Sequence, residues 1–78
     1  MTTIPAIKVR WRQTPQSSNV TAVGWDHRGH MYVEFNDGRI YMYEGVPRQR
    51  VVACSRAKSV GRYFNRHIKS NYHPIQVA

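Results

Sequence analysis

The segment MYVEFNDGRIYMY, residues 31–43, constrains the fold of this chain more than any other stretch. Two runs rich in aromatic and β-branched residues flank Asn36, Asp37 and Gly38. This arrangement is typical of a β-hairpin, because asparagine, aspartate and glycine tolerate the backbone angles of tight turns. The sequence therefore predicts two neighbouring antiparallel strands here.

The length of the turn decides where the tyrosines of this hairpin point. With a two-residue loop, Val33 faces Met42, and Tyr41 and Tyr43 join Tyr32 on the outer face as a platform for base stacking. With a three-residue loop, Val33 faces Tyr41, and the same two tyrosines enter the core. A slip of one residue exchanges the two faces of a strand, so periodicity alone leaves both registers open.

The remaining segments predict a sheet followed by helices. IKVRWR alternates strictly, so we expect a half-buried strand with a basic outer face formed by Lys8, Arg10 and Arg12. VTAVGWD predicts a further strand, and PRQRVVACS predicts a short helix whose first turn suits Pro47. The predicted fold class is α+β, with a small antiparallel sheet of three to four strands followed by two helices packed on one face.

SVGRYFNRHIKSNY, residues 59–72, predicts an amphipathic second helix with Ser59 as its N-cap. At about 100° per residue, its apolar side collects Val60, Tyr63, Phe64, His67 and Ile68. The opposite side is purely cationic, and its stripe consists of Lys58, Arg62, Arg66 and Lys69. Gly61 inside the helix suggests that another element packs close to it. We expect one shared core that contains Val33, Phe35, Tyr41, Tyr43, Phe64 and Ile68.

The charge of the chain is large and unevenly distributed. Twelve lysines and arginines stand against four acids, which gives a net charge of +8. Residues 45–78 carry seven of these basic residues and no acid. Arg62 has a like charge at i,i+4 on both sides, in Lys58 and Arg66, and such pairs weaken a helix. A surface of this kind attracts polyanions, so nucleic acid, an acidic protein surface and anionic lipid all qualify as ligands.

Composition argues against most other classes of function. The chain has 78 residues, which suits one small domain, and it has no run of about 18 apolar residues. Its single cysteine, Cys54, allows no internal disulfide, and we expect the reducing cytoplasm as its compartment. In a short apolar helix this cysteine is more often a core residue than a nucleophile. No cysteine pair or carboxylate cluster completes a metal site with the histidines, which are His27, His30, His67 and His73.

Several motifs then occur in the order found in KTSC domains: SSNVTAVGWD, MYVEF, DGRIYMYEGVP and SVGRYFNRHIKSNY. The chain resembles this family from Ser17 to Tyr72, so residues 1–16 are expected to form a basic N-terminal extension and residues 73–78 a tail of the same single domain. In the family the positions of both hairpin tyrosines stay aromatic, while the position between them is commonly polar. The resemblance therefore favours the three-residue turn.

The resemblance implies a fold more than an activity. The family takes its name from the C-terminus of certain lysyl-tRNA synthetases and also occurs as short stand-alone proteins in bacteria and phages. This association suggests work near nucleic acid.

We therefore expect a small, non-enzymatic, basic binding module that acts on nucleic acid or on nucleic-acid machinery. One version is a phage-type regulator that docks on RNA polymerase and affects transcription in the host cytoplasm. No cofactor, metal, membrane or small-molecule substrate is expected. The residues expected to contact nucleic acid or a partner are Lys58, Arg62, Arg66, Lys69, Arg10, Arg12, Arg56, Tyr63 and Asn65.

Two alternatives remain at this point. In the first, the cationic face binds an acidic protein partner and contacts no nucleic acid. In the second, the chain is a hydrolytic enzyme, against which the lack of a carboxylate pair or metal set argues.

Overall fold

The computed structural model describes residues 9–15 and 17–78. Within these residues, five strands form one antiparallel sheet in chain order: β1 (Arg10–Gln13), β2 (Val20–Trp25), β3 (Met31–Phe35), β4 (Ile40–Tyr43) and β5 (Pro74–Gln76). Between β4 and β5 the chain forms α1 (Arg48–Arg56) and α2 (Val60–Tyr63), which continues as a π-helix (Phe64–Lys69). The helices pack on one face of the sheet, so the predicted α+β class is confirmed.

The hairpin between β3 and β4 has the three-residue turn. Val33 pairs with Tyr41, and Met31 pairs with Tyr43. Gly38 N–H donates to the carbonyl of the last β3 residue at 2.9 Å, and its φ of +92° is one that glycine adopts without strain. The register favoured by the family resemblance is therefore confirmed, and the outward platform of tyrosines is wrong.

The core lies between the helices and the covered sheet face. Its buried members come from β2, β3, β4 and both helices. All six residues predicted to share one core do so, because four are buried and Phe35 and Tyr41 pack against them. The buried four are Val33, Tyr43, Phe64 and Ile68.

The strand count expected from the sequence was too low. The predicted tail contains β5, which closes the sheet by pairing Ile75 with Met42 and Gln76 with Tyr41. A strand of three residues offers too few alternating positions to produce a periodicity signal. Pro74 begins this strand, and the first residue of a strand is a position that proline tolerates in a sheet.

The two faces of β1 are exchanged relative to the prediction. Trp11 pairs with Gly24 on the sheet face without helices. Arg12 pairs with Val23, a residue of the helix-covered core, so Arg10 and Arg12 lie on the helix side, where both are exposed. Strict alternation shows which residues share a face, but it does not show which face meets the helices. The first two residues of the predicted strand lie outside the described residues.

The second helix begins as predicted and then departs from α-helical geometry. Ser59 Oγ accepts the backbone N–H of Arg62 at 3.3 Å, which confirms the N-cap. From Phe64 onward the backbone follows the wider i→i+5 pattern of a π-helix, to which the 100° projection does not apply. No helix in the described part of the chain has the length and apolarity needed to cross a bilayer.

Candidate functional site

The helical layer carries seven basic side chains and no acidic one. Six of the seven are exposed, and Arg50 is half-buried. Among the described residues, the ion pairs involve only His30 and Arg39 as cations. The helical layer therefore holds seven cations without a carboxylate partner in the described chain: Arg48, Arg50, Arg56, Lys58, Arg62, Arg66 and Lys69.

Three of the four acids are held on the sheet side of the molecule. Asp37 binds Arg39 within the hairpin turn, with Oδ2 2.6 Å from a guanidinium nitrogen. Glu44 Oε2 lies 3.8 Å from His30 Nε2 at the end of β4. Glu34 alternates with core residues of β3 and so lies on the face without helices. None of these carboxylates offsets the charge of the helical layer.

The fourth acid, Asp26, is buried and has a structural role. It accepts hydrogen bonds from the Tyr32 hydroxyl at 2.7 Å and from the backbone N–H groups of Arg28 at 2.8 Å and His30 at 3.1 Å. Burial by itself raises the pKa of this carboxyl, but these hydrogen bonds and the nearby His30 ring outweigh burial and hold the pKa below its ordinary value. Asp26 is therefore a charged anchor for the turn between β2 and β3.

The four cations predicted to form one stripe take two directions. Arg62 and Arg66 line the outer surface of the helix together, and Lys58 lies beside Arg62 where the helix begins. Lys69 instead lines a groove on the side of β4 and β5. The single stripe is therefore wrong for Lys69, which the π-helix places after a wider turn than the projection assumes.

The loop Ser17–Asn19 is fixed to the hairpin turn by Asn36. The Asn36 side chain donates to the carbonyl of Ser18 and accepts from the Thr21 hydroxyl at 2.7 Å. Ser17 Oγ accepts the first backbone N–H of β2 at 3.0 Å. These are local bonds at a strand entry, and serine and asparagine side chains commonly make such bonds to nearby backbone groups.

A groove of about 710 Å³ runs between this loop, the hairpin and the helix. We name it the amide groove; its lining includes Asn19, Phe35, Tyr41, Gly61, Asn65 and Lys69. A Cβ placed on Gly61 would lie 3.9 Å from Asn19 Nδ2, which is an ordinary contact. The loop is thus the nearest neighbour of Gly61, but it leaves room for a Cβ, so the close packing expected at this glycine is not found. Asn65 also lines the two adjacent grooves, so it lies where the three meet.

A second basic cluster lies beside α1. The Arg48 guanidinium carbon is 5.3 Å from the centre of the Trp25 ring, and Arg10 lines the same groove. Arg12 and Arg56 are exposed. Within the described residues, this groove includes no member of the predicted stripe. Arg10 therefore lies with Arg48 at the edge of the helical layer rather than with Arg62 and Arg66.

The side chains considered for catalysis or metal binding are dispersed. Cys54 is buried, and burial raises the pKa of its thiol to about 12, so the thiol is protonated at neutral pH. The His67 ring packs against Tyr63, with 4.3 Å between ring centres. Within the described residues, no three of the histidine, cysteine and acidic side chains cluster closely enough to hold a metal.

The amide groove is the part of this surface that sequence reasoning missed. The two asparagines that line it belong to separate motifs of the sequence: Asn19 to SSN near the start, and Asn65 to the second helix. Their proximity depends on the fold of the intervening hairpin, because Asn36 of the turn holds the loop beside the helix.

Comparison with known proteins places this arrangement in a family. The KTSC domain model matches residues 16–72. A protein of Stutzerimonas stutzeri (strain A1501), itself uncharacterized, is 39% identical over 59 residues, which cover 74% of this chain and 83% of that protein. The crystal structure of a KTSC domain protein from Yersinia pestis superposes with a TM-score of 0.79 at 25% identity, covering 91% of this chain and 100% of that one. The chain therefore belongs to the KTSC domain family.

Proposed function

We propose that this protein is a non-enzymatic module that binds nucleic acid through its helical layer. The single observation that carries the proposal is the group of seven cations without a carboxylate partner among the described residues. A solvated helix face ordinarily mixes charges, because opposite charges at i,i+4 stabilise a helix and like charges destabilise it. Here Arg62 and Arg66 repel each other at this spacing and have no carboxylate partner among the described residues, which favours a surface whose counter-charge comes from a ligand.

Phosphates are the proposed contacts of Lys58, Arg62 and Arg66. Their side chains are exposed: Lys58 precedes the N-cap Ser59 and lies beside Arg62, and Arg66 follows Arg62 on the outer surface of the helix. Each phosphate contact releases condensed counterions from the nucleic acid, and this release supplies most of the binding free energy at low salt. Lysine and arginine at phosphates carry no information on base sequence, so binding through these three residues is expected to be largely independent of sequence.

Five further residues that were predicted as contacts are given one of two roles in this proposal. Tyr63 and Asn65 border the surface of Arg62 and Arg66 and are proposed to contact the ligand next to the phosphates. Arg10, Arg12 and Arg56 are proposed to extend the positive field at the edges of the helical layer, which speeds the encounter with a polyanion.

The test is a binding measurement with a charge-reversed surface. Labelled duplex DNA, single-stranded DNA and RNA are titrated with the parent and with Arg62→Glu/Arg66→Glu at low salt, and a melting curve is recorded for each protein. Binding should be lost in the double variant while the melting temperature stays within a few degrees of the parent, since both side chains are exposed.

The control is a pair of single variants with the same change in net charge. Arg62→Glu should weaken binding strongly, whereas Arg28→Glu, in the turn between β2 and β3, should weaken it only slightly. Equal losses in both would mean that net charge alone attracts the ligand. Unchanged binding in the double variant would overturn the proposal.

An acidic protein partner is the second candidate, and the same unpaired cations favour it. One form of this second candidate is a protein that docks on RNA polymerase and places its helical layer near DNA or RNA. A pull-down from lysate with and without nuclease separates the two candidates. Capture of an acidic protein that persists after nuclease treatment, with no affinity for purified nucleic acid, would support the protein partner.

A further inference from the structure

We infer that the amide groove holds an unpaired base of a single-stranded nucleic acid. This inference rests on the proposed function, because it adds a base site to the phosphate surface. The groove lies directly beside that surface, since Gly61 and Asn65 line the amide groove and the groove of Lys58 and Arg62 as well. A strand whose phosphates follow the helix therefore passes the mouth of the amide groove.

The floor of the groove is aromatic. The rings of Phe35 and Tyr41 meet edge to face with 5.8 Å between their centres, and Phe35 meets Phe64 in the same way at 5.6 Å. Phe35 and Tyr41 are half-buried, so part of each ring faces the groove. Single-stranded bases bind to proteins by stacking on such rings, and every base has a face that can stack.

The walls of the groove carry carboxamides that are free to bind. Within the described residues, the Asn36 carboxamide is bonded to the loop and to Thr21, whereas those of Asn19 and Asn65 have no hydrogen-bond partner. A carboxamide offers a donor and an acceptor side by side, which match the donor and acceptor pattern on the edge of a base. Asn19 and Asn65 line the same groove, one from the loop and one from the helix.

The charges at the groove suit an anionic strand. Lys69 lies at the π-helix wall and has no carboxylate partner in the described chain. Arg39 and Asp37 also line the groove, but they pair with each other at 2.6 Å and their charges cancel. A volume of about 710 Å³ falls in the range of small-molecule sites, roughly 300–1,000 Å³, so a nucleotide fits it in size.

Gly61 keeps the groove open. Alanine favours a helix over glycine, and a Cβ at this position would meet only an ordinary contact at 3.9 Å. Close packing therefore does not require glycine here. A longer side chain at this position would occupy part of the groove that Gly61 lines together with Asn19 and Asn65, where the base is inferred to lie.

The decisive experiment compares oligonucleotides that carry the same phosphates with and without bases. Fluorescence anisotropy measures the affinity of the parent for a labelled single-stranded 12-mer, its abasic counterpart and the matched duplex, each as DNA and as RNA. The intact single strand should bind about tenfold more tightly than the abasic strand, with a similar dependence on salt. Equal affinity of the intact and abasic strands would overturn the base site and leave the phosphate surface standing. No binding of any oligonucleotide at low salt would overturn both.

Two groove variants and one control variant test where the base binds. Asn19→Ala and Gly61→Gln should each reduce the preference for the intact over the abasic strand at least fivefold, while affinity for the abasic strand stays within twofold of the parent. Gln49→Ala, which removes an exposed carboxamide from α1, should leave the preference unchanged. A preference that survives both groove variants would place the base elsewhere and overturn the inference.

Discussion

Tyr43 and Phe64 meet edge to face across the core, with 5.5 Å between ring centres and 76° between ring planes. Tyr43 ends β4 and Phe64 begins the π-helix, so this contact joins the sheet to the helix that carries the basic surface. It depends on the three-residue hairpin turn, because a turn one residue shorter would direct Tyr43 to the opposite face.

Phe64→Ala should destabilise the fold by roughly 3–5 kcal/mol, because it removes a buried ring and leaves a cavity between helix and sheet. A loss of this size removes most of the stability of a small domain. Phe64→Leu retains much of the volume and should cost clearly less. Urea denaturation followed by circular dichroism measures both. A midpoint for Phe64→Ala equal to that of the parent would contradict the core position of this ring.

Gly61→Ala should stabilise the protein by about 0.5–1 kcal/mol, because alanine has the higher helix propensity and its Cβ fits beside Asn19. In a domain of this size the gain corresponds to an increase in melting temperature of roughly 2–8 °C. Differential scanning calorimetry is the measurement. A lower melting temperature would mean that the loop packs against Gly61 more closely than the structure indicates.

Asp26 should make stability depend on pH in the acid range. Its pKa is lowered in the folded state, so its contribution is fully present above the unfolded pKa of 3.8 and is lost as pH falls through the folded value. Urea midpoints between about pH 6 and about pH 2.5 should therefore fall less steeply for Asp26→Asn than for the parent. Glu34→Gln removes the same charge from the sheet face without helices. It retains Asp26, so the urea midpoint of this variant should still show the fall with decreasing pH that is due to Asp26. Parallel curves for Asp26→Asn and the parent would exclude this role.

Cys54 should resist alkylation in the native protein, since its side chain is buried and its thiol pKa is about 12. Iodoacetamide labelling followed by mass spectrometry measures the rate with and without denaturant. The double variant Ala53→Cys/Cys54→Ala moves the thiol to an exposed neighbour and should react rapidly under native conditions. Native labelling of Cys54 as fast as that of the control would show that the site is accessible.

The sequence predicted the local elements of this fold well and the long-range relations less well. Alternation and turn residues predicted β2, β3 and β4, and Ser59 marked the start of the second helix, because these signals are local. The turn register needed the family resemblance, since both registers satisfy the same periodicity. β5 was missed because its strand character comes from pairing with Tyr41 and Met42 rather than from its own three residues.

The candidate site also combines features that the sequence predicts with features that depend on the tertiary fold. The excess of positive charge after residue 45 can be read from composition, and its position on the helical layer follows from the helix prediction. The split between Arg66 and Lys69 could not be predicted, because a π-helix depends on which carbonyl each N–H meets in the folded chain. The approach of Asn19 to Gly61 required the tertiary fold.

The most direct test of the phosphate-binding surface is the salt dependence of nucleic-acid affinity for matched variants. Affinity of the parent, Arg62→Gln/Arg66→Gln and the control Arg28→Gln for one labelled duplex is measured across a range of salt concentrations. Each phosphate contact removed should lower the slope of log affinity against log salt by about one, so the double variant should lose about two and the control close to none. A double variant with the slope and affinity of the parent would show that these arginines only face solvent and would contradict the proposed function.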